Sequence, residues 1–143
     1  METVSTLPLL SVKYPLHILL AEDNAINQQL AMIVLTKMGY KPEIAENGKE
    51  VLEKLREKEF DLIFMDVHMP EMDGLEATRN IRAISWDQPL IVAMTANATR
   101  KDREVCLAEG MNDYLSKPVR LEELIEVLEK WGRAVHIKRK KRA

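Results

Sequence analysis

Cysteine occurs once in the 143 residues, as Cys106, so no disulfide can form within the chain. That excludes a disulfide-stapled scaffold and fits a reducing, cytoplasmic setting. Long apolar runs are missing too, and none approaches the roughly 20 residues of a membrane span. The first 20 residues are apolar in places, but Pro8, Lys13 and Pro15 interrupt them and no basic segment leads them. A signal peptide is therefore not expected. Positive charge is scarce everywhere except at the end. From Arg133 onward there are six basic residues and no acids, while the other 132 carry 15 basic and 23 acidic side chains, a net of −8. An acidic body excludes general nucleic-acid affinity for the core. Glycine is limited to five residues, all near expected element boundaries.

What the chain does contain is an alternation of short apolar runs and helical periods. Strands are expected at residues 16–21, 43–45, 62–65, 90–94 and 113–116, the third and fourth ending on Asp66 and Thr95. A first helix runs from an Asn24 cap to Met38, with Ile26, Leu30, Ile33 and Val34 on its inner face, and Gly39 ends it. Asn47 caps a second, with Val51, Leu52 and Leu55 inward. A third spans residues 74–84 and a fourth residues 99–109, stopped by Gly110. The fifth covers residues 121–131, with Leu121, Leu124, Ile125, Leu128 and Trp131 on one stripe, and Gly132 closes it. Residues 1–14 show no period and read as a loose leader. Five strand–helix alternations predict an α/β domain over residues 15–132, a parallel sheet with helices on both faces. Residues 133–143 form a basic tail.

In such a sheet the residues directly after the strands share one edge, where ligands bind. Here that edge collects Glu22, Asp23, Asp66, Thr95 and Lys117. Each has an ordinary reading alone: capping acids, a strand-end hydroxyl, a solvated lysine. Together they make a different case. Three carboxylates repel one another unless a cation sits among them. Their hard oxygens, with no Cys or His cluster, favour Mg²⁺ or Mn²⁺ over zinc. Mg²⁺ takes one or two carboxylates plus a phosphate oxygen. Lys117 and Thr95 can meet the remaining phosphoryl oxygens, and Asp66 can be the nucleophile. Phosphoryl transfer needs alignment and charge neutralisation, and this set offers both.

Four motifs carry a resemblance: Leu-Leu-Ala-Glu-Asp-Asn from Leu19, Met-Asp-Val-His-Met-Pro-Glu-Met-Asp-Gly from Met65, Met-Thr-Ala from Met94, and Tyr-Leu-Ser-Lys-Pro from Tyr114. They resemble the receiver (response-regulator) domain of two-component phosphorelays. The stretches Asp23-Asn24-Ala25-Ile26-Asn27, Met94-Thr95-Ala96-Asn97-Ala98 and Gly110-Met111-Asn112-Asp113-Tyr114 look most like receivers of hybrid histidine kinases. The resemblance implies a flavodoxin-like (βα)5 fold, a single doubly wound sheet of strand order 2-1-3-4-5 with five helices. It implies that Asp66 accepts a phosphoryl group from a phosphohistidine on a histidine kinase or histidine phosphotransfer protein. Asp23, Asp66 and the backbone carbonyl of His68 would bind Mg²⁺, and Glu22 would act through water. Lys117 and Thr95 would meet the phosphoryl group, and the Lys117–Pro118 bond would be cis. Thr95 and Tyr114 would form the switch, read out on a face that includes Arg103, Leu107, Met111 and Tyr114. Leu107 and Met111 would be partly exposed there.

Three rivals stay open at this point. An aspartyl-nucleophile phosphohydrolase often has a second acid two residues after the first, where this chain has His68. A flavin-binding domain would want a Ser/Thr/Gly-rich loop where this chain has Glu22-Asp23-Asn24. A pseudo-receiver would act only as an interaction module. The His68 ring is expected to tune water access to a phosphoaspartate rather than to bind metal. Activity is expected to be acceptance and slow self-dephosphorylation, not turnover of an external substrate. No output domain is expected beyond Trp131, so the chain reads as a stand-alone receiver or one from a larger kinase, including the cytosolic part of a membrane-bound one. No membrane or nucleic-acid contact is expected through the core domain, and the tail's role is open.

Overall fold

The computed structural model describes residues 9–96 and 99–142. Strands β1 (Ile18–Ala21), β2 (Glu43–Ala45), β3 (Leu62–Asp66), β4 (Leu90–Thr95) and β5 (Asp113–Ser116) form one sheet in the order β2-β1-β3-β4-β5. Every pairing is parallel. Between and after them run α1 (Ala25–Lys37), α2 (Gly48–Glu57), α3 (Gly74–Arg82), α4 (Arg100–Ala108) and α5 (Leu121–Arg142). Four of these helices start on a side chain that the pattern marks as a cap. Asn24, Asn47, Asp73 and Thr99 each accept the backbone N–H three residues on.

Period two along the strands divides the core. Leu19, Ala21, Ile63, Met65, Ile91 and Ala93 face α2, α3 and α4, where Val51, Ala77, Ile81 and Cys106 meet them. Ile18, Leu20, Leu62, Phe64, Val92, Met94 and Leu115 face α1 and α5, where Leu35, Leu124 and Leu128 meet them. Both faces of β1 and β3 are thus covered, which is why those strands read as continuous apolar runs.

Several expectations are corrected. On α1 the buried stripe is Ala31, Leu35 and the following Met38, not Ile26, Leu30 and Ile33, which stand 68%, 52% and 52% exposed. The helix is apolar on two sides, so its period does not select the inward one. Residues 9–14 of the leader are not loose: Leu10–Lys13 is a short helix, the Ser11 N–H donates to the Met38 carbonyl, and Tyr14 is buried. The Tyr40 hydroxyl donates to the Tyr14 carbonyl at 2.8 Å.

Gly132 does not close α5, which continues to Arg142. A Cβ on Gly132 would lie 2.7 Å from the Cβ of Tyr14, so this glycine permits close packing of helix on leader. Within α5, Leu121 is exposed while Val127 and Val135 are buried. The basic segment is part of that helix, and it is tied down. Arg139 donates to the Pro15 carbonyl at 2.9 Å and to Asp61 Oδ2 at 2.8 Å. Residues 1–8, Asn97, Ala98 and Ala143 lie outside the described residues. No helix among the described residues is long and apolar enough to cross a membrane.

Candidate functional site

β1 delivers Glu22 and Asp23. The ladder continues past its end through the Glu22 N–H, which donates to the Ala45 carbonyl at 3.0 Å. The Glu22 carboxylate then accepts the Asn24 N–H at 3.1 Å, and its carbonyl accepts the Gln28 amide at 2.6 Å. Glu22 is therefore buried and fixed, while Asp23 remains exposed. β3 ends on Asp66, 3% exposed, and the chain turns sharply back. The Val67 carbonyl accepts the Gly74 N–H at 2.9 Å. A Cβ on Gly74 would sit 2.3 Å from the Asp66 carbonyl oxygen, so only glycine allows this return.

Glu22, Asp23 and Asp66 each offer a carboxylate oxygen within 4.8 Å of the others. Lys117 reaches in from the end of β5. Its Nζ lies 2.7 Å from Asp66 Oδ2 and 2.9 Å from Glu22 Oε1. Burial alone would lower the Lys117 pKa. Hydrogen bonds to Asp66 and Glu22, with their charges, outweigh it, and the ammonium is held above its ordinary range. The other Asp66 oxygen accepts the His68 N–H at 3.2 Å. Thr95 is buried at the end of the neighbouring β4, and its carbonyl accepts the Lys117 N–H at 2.9 Å. The Lys117–Pro118 bond is cis.

One ammonium against three carboxylates leaves this cluster negative. Its donors are all hard oxygens, and Asp23 keeps them open to solvent. The residues fit a small divalent cation such as Mg²⁺. Taken together, the edge holds a fixed carboxylate, an acidic cluster and an ammonium, the groups that phosphoryl acceptance would draw on.

All five expected edge residues thus converge within the described structure. The Tyr114 ring lies half-buried on β5, with Arg103 of α4 over it, 4.1 Å from guanidinium carbon to ring centroid. Met111 is buried, in contrast to its expected partial exposure, while Leu107 is exposed as expected. The His68 side chain is exposed. Two features escape the sequence. Gln28 supports Glu22 through a backbone carbonyl, a partner that no pattern reveals. The exposed Ile26, Leu30 and Ile33 looked like core; they lie on the open side of α1, with Ile26 two residues from the cap Asn24.

The family model for the response regulator receiver domain matches residues 18–129, and the chain belongs to that family. Histidine protein kinase 1 of Candida albicans is 42% identical over 139 residues, which cover 90% of this chain and 6% of that protein. The chain thus spans a small fraction of the length of the curated relatives it matches. Among solved structures, a co-crystal of the Saccharomyces cerevisiae histidine phosphotransfer protein Ypd1 with the receiver domain of Ssk1 matches with a TM-score of 0.76 and 36% identity. That match covers 81% of this chain and 88% of the other. The receiver domain of sensor histidine kinase PA1611 from Pseudomonas aeruginosa, with magnesium coordinated in its active-site cleft, matches with a TM-score of 0.75 and 40% identity, covering 82% and 97%.

Proposed function

We propose that this chain is a phosphoacceptor switch of a phosphorelay, in which Asp66 takes a phosphoryl group from a phosphohistidine. The observation that carries this reading is the Lys117 ammonium, which sits against the acceptor carboxylate and bridges it to buried Glu22. Asp23, Asp66 and the His68 carbonyl would hold Mg²⁺, with Glu22 acting through water. When bound, the ion supplies charge neutralisation for the phosphoryl oxygens. The protein's own share is positional. The loop closed at Gly74 fixes the Asp66 oxygens, and the His68 N–H holds one of them. Lys117 exchanges part of its carboxylate contact for a phosphoryl oxygen, and the Thr95 hydroxyl donates to another. Attack by an Asp66 oxygen on phosphorus forms the acyl phosphate while the donor imidazole leaves with its electron pair. Slow hydrolysis returns Asp66, and the His68 ring tunes the water that reaches it.

The donor is a histidine kinase or, as in the yeast complex, a histidine phosphotransfer protein. The exposed apolar residues Ile26, Leu30 and Ile33 of α1 supply its docking face, because the helix starts directly after Glu22 and Asp23 and an open apolar stripe along it can seat a partner whose histidine reaches Asp66. The readout surface is the face formed by α4, β5 and α5, with Arg103, Leu107 and Tyr114 on it. The setting is cytoplasmic, consistent with a lone buried thiol.

The test is intact mass after incubation with acetyl phosphate. A single adduct that needs Mg²⁺ and is absent in Asp66→Ala supports the reading. An adduct that survives in Asp66→Ala, or none on the folded native chain, contradicts it. Leu30→Asp should leave this small-donor reaction intact and slow transfer from a phosphorylated histidine phosphotransfer protein.

A further inference from the structure

The β4–β5 register sets Ala93 beside Tyr114 and Thr95 beside Ser116. Side chains alternate along a strand, so Thr95 and Tyr114 lie on one face of the sheet as diagonal neighbours. That face is the one α4 covers. Tyr114 packs against the cluster that contains Cys106 and Met111. Its ring also carries the Arg103 guanidinium, 4.1 Å away. Arg103 belongs to the opening of α4, where its N–H donates to the carbonyl of the cap residue Thr99. The contact thus joins the switch aromatic to the helix that begins shortly after Thr95.

Resting on the phosphoacceptor reading, we propose that Arg103 is a positioning residue whose stack on Tyr114 holds the ring in its resting place and sets how readily the switch is thrown. A guanidinium over a ring face is attracted by the ring quadrupole, and its planar face adds stacking. If Thr95 moves toward a phosphoryl group, the ring gains room toward the sheet edge and leaves Arg103 behind. The contact exists in one state and not in the other, which is the condition for it to bias the equilibrium. Arg103 is itself exposed, so the bias is modest, a shift of about twofold to fivefold in the population ready to accept phosphate.

The experiment compares the full chain with Arg103→Met, which keeps the aliphatic stem and loses the cation, and Arg103→Lys, which keeps the charge and loses the planar face. Phosphoryl uptake from acetyl phosphate with Mg²⁺ is followed by intact mass, and the Tyr114 ring by NMR of ¹³C-tyrosine protein, assigned with Tyr114→Phe. Arg103→Met should take up phosphate about twofold to fivefold faster. Its unphosphorylated ring signal should move toward that of the phosphorylated native chain. Arg103→Lys should fall between the two. In a Tyr114→Leu background the Arg103 substitution should change nothing. An unchanged or slower rate, an unmoved ring, or an equal effect without Tyr114 overturns the proposal. If the native chain accepts no phosphate, the phosphoacceptor reading fails, and the ring signal of the unphosphorylated proteins then decides: moved supports the contact, unmoved overturns it.

Discussion

Lys117 does two jobs with one ammonium. It compensates two buried carboxylates, Glu22 and Asp66, and it competes with any cation for them. Removing one partner of a buried ionic set leaves the others uncompensated, which costs about 3–5 kcal/mol. Lys117→Met should therefore lower the melting temperature of the metal-free chain. It should also tighten Mg²⁺ binding, because the carboxylates lose a competing charge. Calorimetric melting and a Mg²⁺ titration check the two signs, and weaker Mg²⁺ binding in the variant would contradict this account. Tyr40 gives a second residue-scale test. Burial, with the nearby Tyr14, pushes its pKa up to about 12 from an ordinary 10.0. The fold thus favours the neutral phenol that donates to the Tyr14 carbonyl. Its stabilisation is whole below about pH 10 and is lost as pH rises toward the folded value. Tyr40→Phe should be less stable than the native chain at pH 8, by about 1 kcal/mol for the lost hydrogen bond. That gap should close between pH 10 and 12 in denaturant melts.

At the scale of elements, α5 shows how one glycine can be misread. A glycine after an apolar stripe reads as a stop, yet Gly132 is an opening for Tyr14. Alanine would gain about 1 kcal/mol of helix propensity there. It would also force a methyl into the Tyr14 ring, an overpacking cost of about 1–3 kcal/mol. Gly132→Ala should therefore be neutral to destabilising in urea melts, and a stabilised variant would show that the leader does not pack as described. The same comparison explains which parts of the fold were legible. Strands fully covered on both faces are recognisable from composition, and caps such as Asn24 and Asn47 from residue type, so element order could be read directly. The inward side of α1 could not, because Ala31 and Leu35 are no more apolar in pattern than Ile26 and Leu30. Which side is covered depends on where the sheet lies, a tertiary fact. The leader's order likewise rests on Tyr14, Tyr40 and Gly132, which are far apart in sequence and meet only in the fold.

For the whole molecule, chemistry and structure are concentrated at opposite ends of the strands. The carboxyl edge gathers Glu22, Asp23, Asp66, Thr95 and Lys117, and all five were visible as strand-ending residues. The amino edge is closed by the far end of α5, where Arg139 ties the helix to Pro15 and Asp61. Nothing in the basic run itself marks which of its residues would turn inward. The central claim is that Asp66 becomes an acyl phosphate. Borohydride reduces such a group to homoserine and leaves phosphohistidine and phosphoserine intact. The measurement is peptide mass mapping of the chain after acetyl phosphate, Mg²⁺ and borohydride. The account predicts homoserine at position 66 alone, and none when Mg²⁺ is chelated. Reduction at another carboxylate, or a phosphoryl group on the neighbouring His68 with position 66 unreduced, would contradict it.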